Sequence, residues 1–310
     1  KENGKFDLQL DVEKDKNFEF LLGGNISSNA INTIFTELRY KQFGIQGLNI
    51  LGNAYLGRFY NSALASVRME YPQKRPFYQE INIGFNQFNY FNTSRSFFGD
   101  DAPSYLKQNE NYINFNIGFP STNKAKWEIG ITVAGLSDDY YQTNTYTRED
   151  QYDENDLDMI KPYISYELNT QKNQYYSNQG VFLSTKLYLI NGKERNKPGT
   201  TGTYHTEESK SHNWFGFRLK YANFIPYTKR LTLGFNSDIC LSSEELFSTY
   251  TASKFRAPQY NPIPEISTQF LPTFRDYNFI SVGLKGIYKI ASKVDFRLEG
   301  YVYQAIQNIK

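Results

Sequence analysis

The stretch NYINFNIGFP, residues 111–120, sets Ile113, Phe115, Ile117 and Phe119 at every second position, with Asn114, Asn116 and Gly118 between them. A period of two belongs to an extended strand with one apolar face and one hydrated face. The same period recurs along most of the chain. Trp127, Ile129, Ile131 and Val133 oppose Glu128, Gly130 and Thr132. Phe215, Phe217, Leu219 and Tyr221 face away from Gly216, Arg218 and Lys220. Near the end, Val294, Phe296, Leu298 and Val302 oppose Asp295, Arg297, Glu299 and Tyr301. No segment offers a convincing helical period, so the chain reads as all-β.

The alternation predicts thirteen strands, over 18–27, 31–42, 47–60, 63–71, 77–92, 108–119, 126–137, 158–169, 178–190, 212–225, 230–243, 277–290 and 294–306. Several reach twelve residues or more, whereas strands of soluble sheets have about 5–6. A strand crossing a bilayer needs about 9–11 tilted residues. Every other connection is short, among them FGIQ, PQKRP, PSTNKA, PYTK and ASK. Those between grow along the chain into loops near 93–107, 138–157, 191–211 and 244–276. Short turns at one end and long loops at the other are the division of an outer-membrane barrel. The expected fold is a transmembrane antiparallel β-barrel over residues 16–310, with the apolar faces against lipid and the Asn-bearing faces toward a wet interior. In hydrocarbon only a closed sheet satisfies every backbone group. Tyr71, Phe77, Tyr90 and Phe91 are expected in interfacial girdles.

Single-chain bacterial barrels have even strand numbers. Thirteen strands therefore imply a barrel incomplete at the C-terminal end of this chain, sixteen-stranded when whole.

Composition narrows function more than it names it. Basic and acidic residues number 34 and 32, so no nucleic-acid footprint is expected. Aromatic residues make up 17% of the chain, far from the composition of disorder. The single cysteine, Cys240, rules out an internal disulfide framework. No run of eighteen apolar residues marks a membrane helix. The average polarity does not exclude a barrel, because lumen-facing residues dilute the lipid face.

Residues 1–15 differ. Phe6, Leu8, Leu10 and Val12 alternate with Asp7, Gln9, Asp11 and Glu13 after an Asn3-Gly4 turn. An acidic face is costly against lipid, so this reads as the last strand of a small periplasmic domain.

Such a strand feeding an antiparallel barrel resembles the outer-membrane assembly and two-partner-secretion superfamily. There, polypeptide-transport-associated (POTRA) domains precede a sixteen-stranded barrel. The resemblance implies that the long loop between strands eleven and twelve folds into the lumen. It also implies an Arg in a V-R-G-aromatic motif, held by an acid in F-x-D-x-G on strand thirteen. Here Phe274 and Arg275 match the first half, Asp276 stands for the glycine and Tyr277 supplies the aromatic. In DFRLEGY, Phe296 and Gly300 are in place but Leu298 occupies the acid's position, with Glu299 beside it. The expected latch is Arg275 with Glu299; Arg256, with Asp295 on the same face as Glu299, is the rival.

The wording GGNISSNAINTIF, AYLGRFYNSA, LPTFRDYNFISVGLKGIYKI and DFRLEGYVYQ is similar to the C-terminal barrel of Bacteroidota-type patatin-like phospholipases. That family hydrolyses lipid esters with a Ser–Asp dyad in G-x-S-x-G and D-G-[GA] motifs. Neither occurs here, so no catalytic residue carries over, and the resemblance implies a lipase domain upstream in the same polypeptide. The implied partners are outer-membrane lipid, that domain and other outer-membrane proteins, in a Gram-negative bacterium. An assembly or translocation factor of the same superfamily, a passive barrel in a surface complex, and a soluble carbohydrate-binding β protein are the alternatives.

Other chemistry finds little support. His205 and His212 read as solvated loop histidines, and Ser137 lacks a nucleophile elbow. REDQYDENDLD, residues 148–158, offers Asp153, Asp156 and Asp158 as weak divalent-cation candidates but lacks EF-hand spacing. No cofactor is expected.

Overall fold

The computed structural model describes residues 17–25, 33–90, 105–143, 145–172, 176–203, 205–263, 270–291, 294–306 and 309. The strand expected within residues 1–15, and Phe91, lie outside the described residues.

Thirteen strands form one antiparallel sheet, each hydrogen-bonded to its neighbours in chain order. They are β1 (Phe18–Asn25), β2 (Thr33–Gln42), β3 (Gly47–Gly57), β4 (Tyr60–Tyr71), β5 (Phe77–Tyr90), β6 (Leu106–Thr122) and β7 (Ala125–Tyr140). β8 (Asp153–Asn169), β9 (Gly180–Lys197), β10 (Glu208–Pro226), β11 (Leu231–Ser242), β12 (Phe279–Ala291) and β13 (Val294–Ala305) complete it. The predicted number and order are those observed. A short helix, α1 (Tyr250–Arg256), departs from the all-strand expectation. At seven residues inside the longest loop, it is too short to impose a 3.6-residue period on the sequence.

β8, β9 and β10 extend further than predicted, shortening two expected loops. The reason is electrostatic. Glu154 faces Lys197, Asp156 faces Arg195 and Asp158 faces Lys193 across the β8–β9 pair. Lys197 lies 3.2 Å from Glu154, and Arg195 reaches diagonally to Asp158 at 2.8 Å. Opposite charges facing across a ladder stabilise it by about 0.2–1 kcal/mol each. A charged stretch that reads as loop is thus held as strand.

The sheet is apolar outside and polar inside. Ile113 and Ile129 are 53% and 55% exposed, and Phe115, Ile131 and Val133 share their face. Asn116 is 4% exposed, and Ser62, Ser66 and Thr132 are likewise buried on the opposite face. On the outer face Tyr71 stacks on Phe77 at 4.5 Å between ring centroids, and Trp127 leans on Tyr166 at 4.8 Å. Tyr90, expected in that girdle, is buried inward instead.

The outer apolar band slips steadily along the strands. The ladder row through Leu38 passes Gly52, Ala65, Ile83, Ile113, Val133 and Ile160, then meets Asn191 and Asn213. The row through Leu298 on β13 passes Gly286 and Leu233 to reach β10 at Ile225. Measured on β10, the rows from β2 and β13 lie twelve residues apart (213 to 225) across eleven strand steps.

On the inner face, tyrosines cover the glycines directly opposite. Tyr112 lies over Gly84, Tyr78 over Gly118, Tyr163 over Gly130 and Tyr188 over Gly216.

Candidate functional site

The segment between β11 and β12 folds over the inner face at the long-loop end. Thr249 caps α1 by accepting from Ala252 N–H at 3.0 Å, and its hydroxyl also meets the Tyr140 hydroxyl of β7 at 2.8 Å. Ser253 tightens the turn, donating to the Thr249 carbonyl and accepting from Phe247 N–H, both at 2.9 Å. Phe247 and Phe255 enter an aromatic cluster with Tyr90, Tyr140 and Trp214, contributed by β5, β7 and β10. Phe255 meets Tyr140 edge-on at 5.0 Å. Burial of such rings, each worth about 1.5–3 kcal/mol, gives the loop a core of its own.

Two buried polar contacts fix where it docks. Arg256 Nε lies 3.0 Å from Asp138 of β7, and Arg256 Nη2 donates to the Asn155 carbonyl of β8 at 2.8 Å. Glu194 of β9 is fully buried and accepts from His212 Nε2 at 2.7 Å, Asn155 Nδ2 at 2.7 Å and loop Ser248 N–H at 2.9 Å. A buried carboxylate tolerates its position when it gains several such charge-assisted bonds. His212 is therefore not a solvated loop histidine, as the sequence suggested, but a 3% exposed member of the wall, whereas His205 is exposed. Counting by twos from Trp214, Gly216 and Arg218 places His212 on the inner face, a signal present in the sequence.

The expected Arg275–Glu299 pair is not formed among the described residues. Arg275 instead gathers its own loop, donating to the Phe255 carbonyl at 2.7 Å, the Ala257 carbonyl at 3.3 Å and Gln259 Oε1 at 2.9 Å. Its guanidinium also covers the Phe270 ring at 4.5 Å. Burial depresses its pKa from the ordinary guanidinium value. Phe274 meets the Tyr303 ring edge-on at 5.5 Å. Asp276 accepts from the N–H groups of Asn278 and Ile309 at 3.2 and 3.3 Å. The loop arginine that reaches a wall carboxylate is Arg256, and its acid is Asp138 rather than Asp295. Asp295 accepts from Asn178 Nδ2 at 3.3 Å.

Glu299 belongs to a second network nearer the short turns. Lys285 lies 3.4 Å and Arg297 3.2 Å from it, and the Tyr301 hydroxyl donates to it. Arg297 also donates to the carbonyls of Tyr176 and Ser177 at 2.8 and 3.0 Å, tying β13 to the β8–β9 turn. Between the networks, Arg218 grips Asp238 with bonds of 3.1 and 2.8 Å. A further outcome concerns the acidic stretch. Asp153 points inward and accepts from Gly199 N–H at 3.0 Å, while Asp156 and Asp158 point outward from the same strand. Opposite faces cannot converge on one cation. Among the described residues no cluster of His, Cys, Asp or Glu could hold a metal ion.

No protein-family profile matches the chain, and no curated protein matches it. Among solved structures it is similar to BamA from Haemophilus ducreyi lacking POTRA domains 1–3, at 11% identity and a TM-score of 0.44. That match covers 96% of this chain and 68% of the other. It is also similar to BauA, the ferric preacinetobactin receptor from Acinetobacter baumannii, at 9% identity and a TM-score of 0.40. Here 92% of this chain and 47% of the other are covered.

Proposed function

We propose that this chain is the membrane-embedded part of an outer-membrane β-barrel protein whose lumen is plugged at the long-loop end by the segment between β11 and β12. The observation that carries the reading is the reversed burial: Ile113, Ile129, Ile131 and Val133 face out while Ser66, Asn116 and Thr132 face in. In water each such outward side chain would forgo about 1.5–3 kcal/mol of burial, repeated on strand after strand. In a bilayer the same face is solvated. The slip of the apolar band agrees with strands tilted in a level membrane. Hydrocarbon tolerates no open sheet edge, and among the described residues β1 and β13 are not paired with each other. The proposal therefore includes closure by further strands, sixteen in all.

The narrower part of the proposal is that this barrel anchors or exports a patatin-like lipid-ester hydrolase joined before Lys1. Support for it is the wording of the barrel strands, above all LPTFRDYNFISVGLKGIYKI and DFRLEGYVYQ. A G-x-S-x-G motif in preceding sequence selects it; several successive POTRA domains with no hydrolase select an assembly factor instead.

The test of the membrane reading is extraction and mobility. The full-length protein, with the strands that close the barrel, is expected to need detergent and to migrate differently in gels before and after heating. A chain soluble in plain buffer with one mobility would refute it.

A further inference from the structure

The outward ladder row that leaves the apolar band at Ile160 to meet Asn191 and Asn213 is one bank of an open groove on the outer wall. The other bank is the next outward row, which begins at Ala63 and Phe85 and ends at Lys193 and Ser211. The floor between them is the backbone of the intervening row, through Gly84, Ala134 and Gly192. The groove runs from β4 to β10 and has a volume of about 1180 Å³. Six strand steps of roughly 4.8 Å make it about 29 Å long. Pockets for compact ligands hold about 300–1,000 Å³, so its dimensions suit an extended occupant.

The two ends differ in chemistry. Over β4–β7 the banks are alanine, isoleucine, valine and phenylalanine, with Asn111 the one polar side chain. Ala63 and Ala65 stand beside Phe85 and Ile83, so the groove is deepest at its apolar end. At β9 and β10, toward the long loops, the banks are polar. Asn191 donates to Asn213 at 2.6 Å across the ladder, and Ser211 and Lys193 are exposed. Lys193 faces Asp158 directly, and Asp158 also accepts from Arg195 at 2.8 Å. Lys193 and Asp158 are the charged residues of the lining, one of each sign, so the polar end has no net charge. A long trough that starts in hydrocarbon and ends among balanced charges fits an amphiphile whose head carries both signs.

We propose that this groove seats one phospholipid of the extracellular leaflet, its acyl chains along β4–β8 and a zwitterionic head at β8–β10. Lys193 takes the phosphate and Asp158 the ammonium, each through a charge-assisted contact. Asn213 and Ser211 supply N–H and O–H donors to the remaining oxygens. The inference deepens the membrane reading and rests on it.

The experiment mixes the detergent-solubilised full-length protein with equal amounts of phosphatidylethanolamine and phosphatidylglycerol and counts retained lipid by native mass spectrometry. One phosphatidylethanolamine per chain is expected, held in preference to phosphatidylglycerol. Ala65→Phe fills the groove and should lower retention about tenfold or more. Val67→Phe, equally outward on β4 but outside the groove, should leave retention unchanged. Asp158→Asn gives the polar end a net positive charge and should move the preference toward phosphatidylglycerol by about two- to fivefold, the scale of an exposed charge pair. Heat-modifiable mobility establishes that each variant is folded. Equal retention by Ala65→Phe and the parent, equal loss in Ala65→Phe and Val67→Phe, or indifference of the parent to the head would each overturn the site and mark ordinary annular lipid. A copurifying protein in place of lipid would overturn it too. None of these outcomes touches the membrane reading, which falls if the full-length protein is soluble in plain buffer, and the site then falls with it.

Discussion

Gly118 shows how much of the inner wall depends on single positions. A methyl group there would overlap the ring of Tyr78 on the facing strand. That ring is not free to swing away: its hydroxyl donates to Glu128, and the Arg68 guanidinium covers its face at 3.6 Å. Gly118→Ala is expected to destabilise the folded chain by about 1–3 kcal/mol, the usual cost of overpacking. Gly52 has nothing within 4 Å of the corresponding position, and Gly52→Ala should be neutral. The temperature at which the folded gel band disappears distinguishes the two. Which glycines have a ring opposite was not legible in the sequence, because Tyr78 and Gly118 become neighbours only through the register of β5 and β6.

At the scale of elements, the strands were legible and the loop was not. Period two marks a strand wherever one face is apolar, as along 126–134; it fails where both faces are polar, as in the β8 extension, where cross-strand charges hold the pairing. The latch failed for a related reason. Arg256 and Asp138 meet through the path of a loop that no local pattern encodes, whereas the motif-based choice of Arg275 and Glu299 assumed another path. That loop should respond to pH through Glu244, just beyond β11. Burial pushes its carboxyl up to about 8, with Arg256 opposing. A raised acid favours the folded form fully below the unfolded value of 4.5 and loses that advantage as pH climbs to about 8. Protection from hydrogen exchange across 243–263, taken relative to the intrinsic rate at each pH, should therefore fall between pH 5 and 9, and Glu244→Gln should flatten the difference. Equal pH dependence in both proteins would exclude Glu244 as the cause.

At the scale of the molecule, position relative to the apolar band should outweigh residue type. Ile131 sits in the band and Asn111 at its margin, two rows apart on neighbouring outward faces. Ile131→Lys is expected to cost about 2–4 kcal/mol of folding into lipid vesicles and Asn111→Lys about 0–1 kcal/mol. Equal losses, measured as the folded fraction on gels, would contradict the placement of the band. The whole also has a girder. Arg297 grips the backbone of the β8–β9 turn from β13, four strands away around the wall. A curved sheet pushed from the side fails first by flattening, and a strut tying one strand to a turn four strands away resists that mode. Sideways force arriving at β13 would be felt at β9 without passing through the strands between.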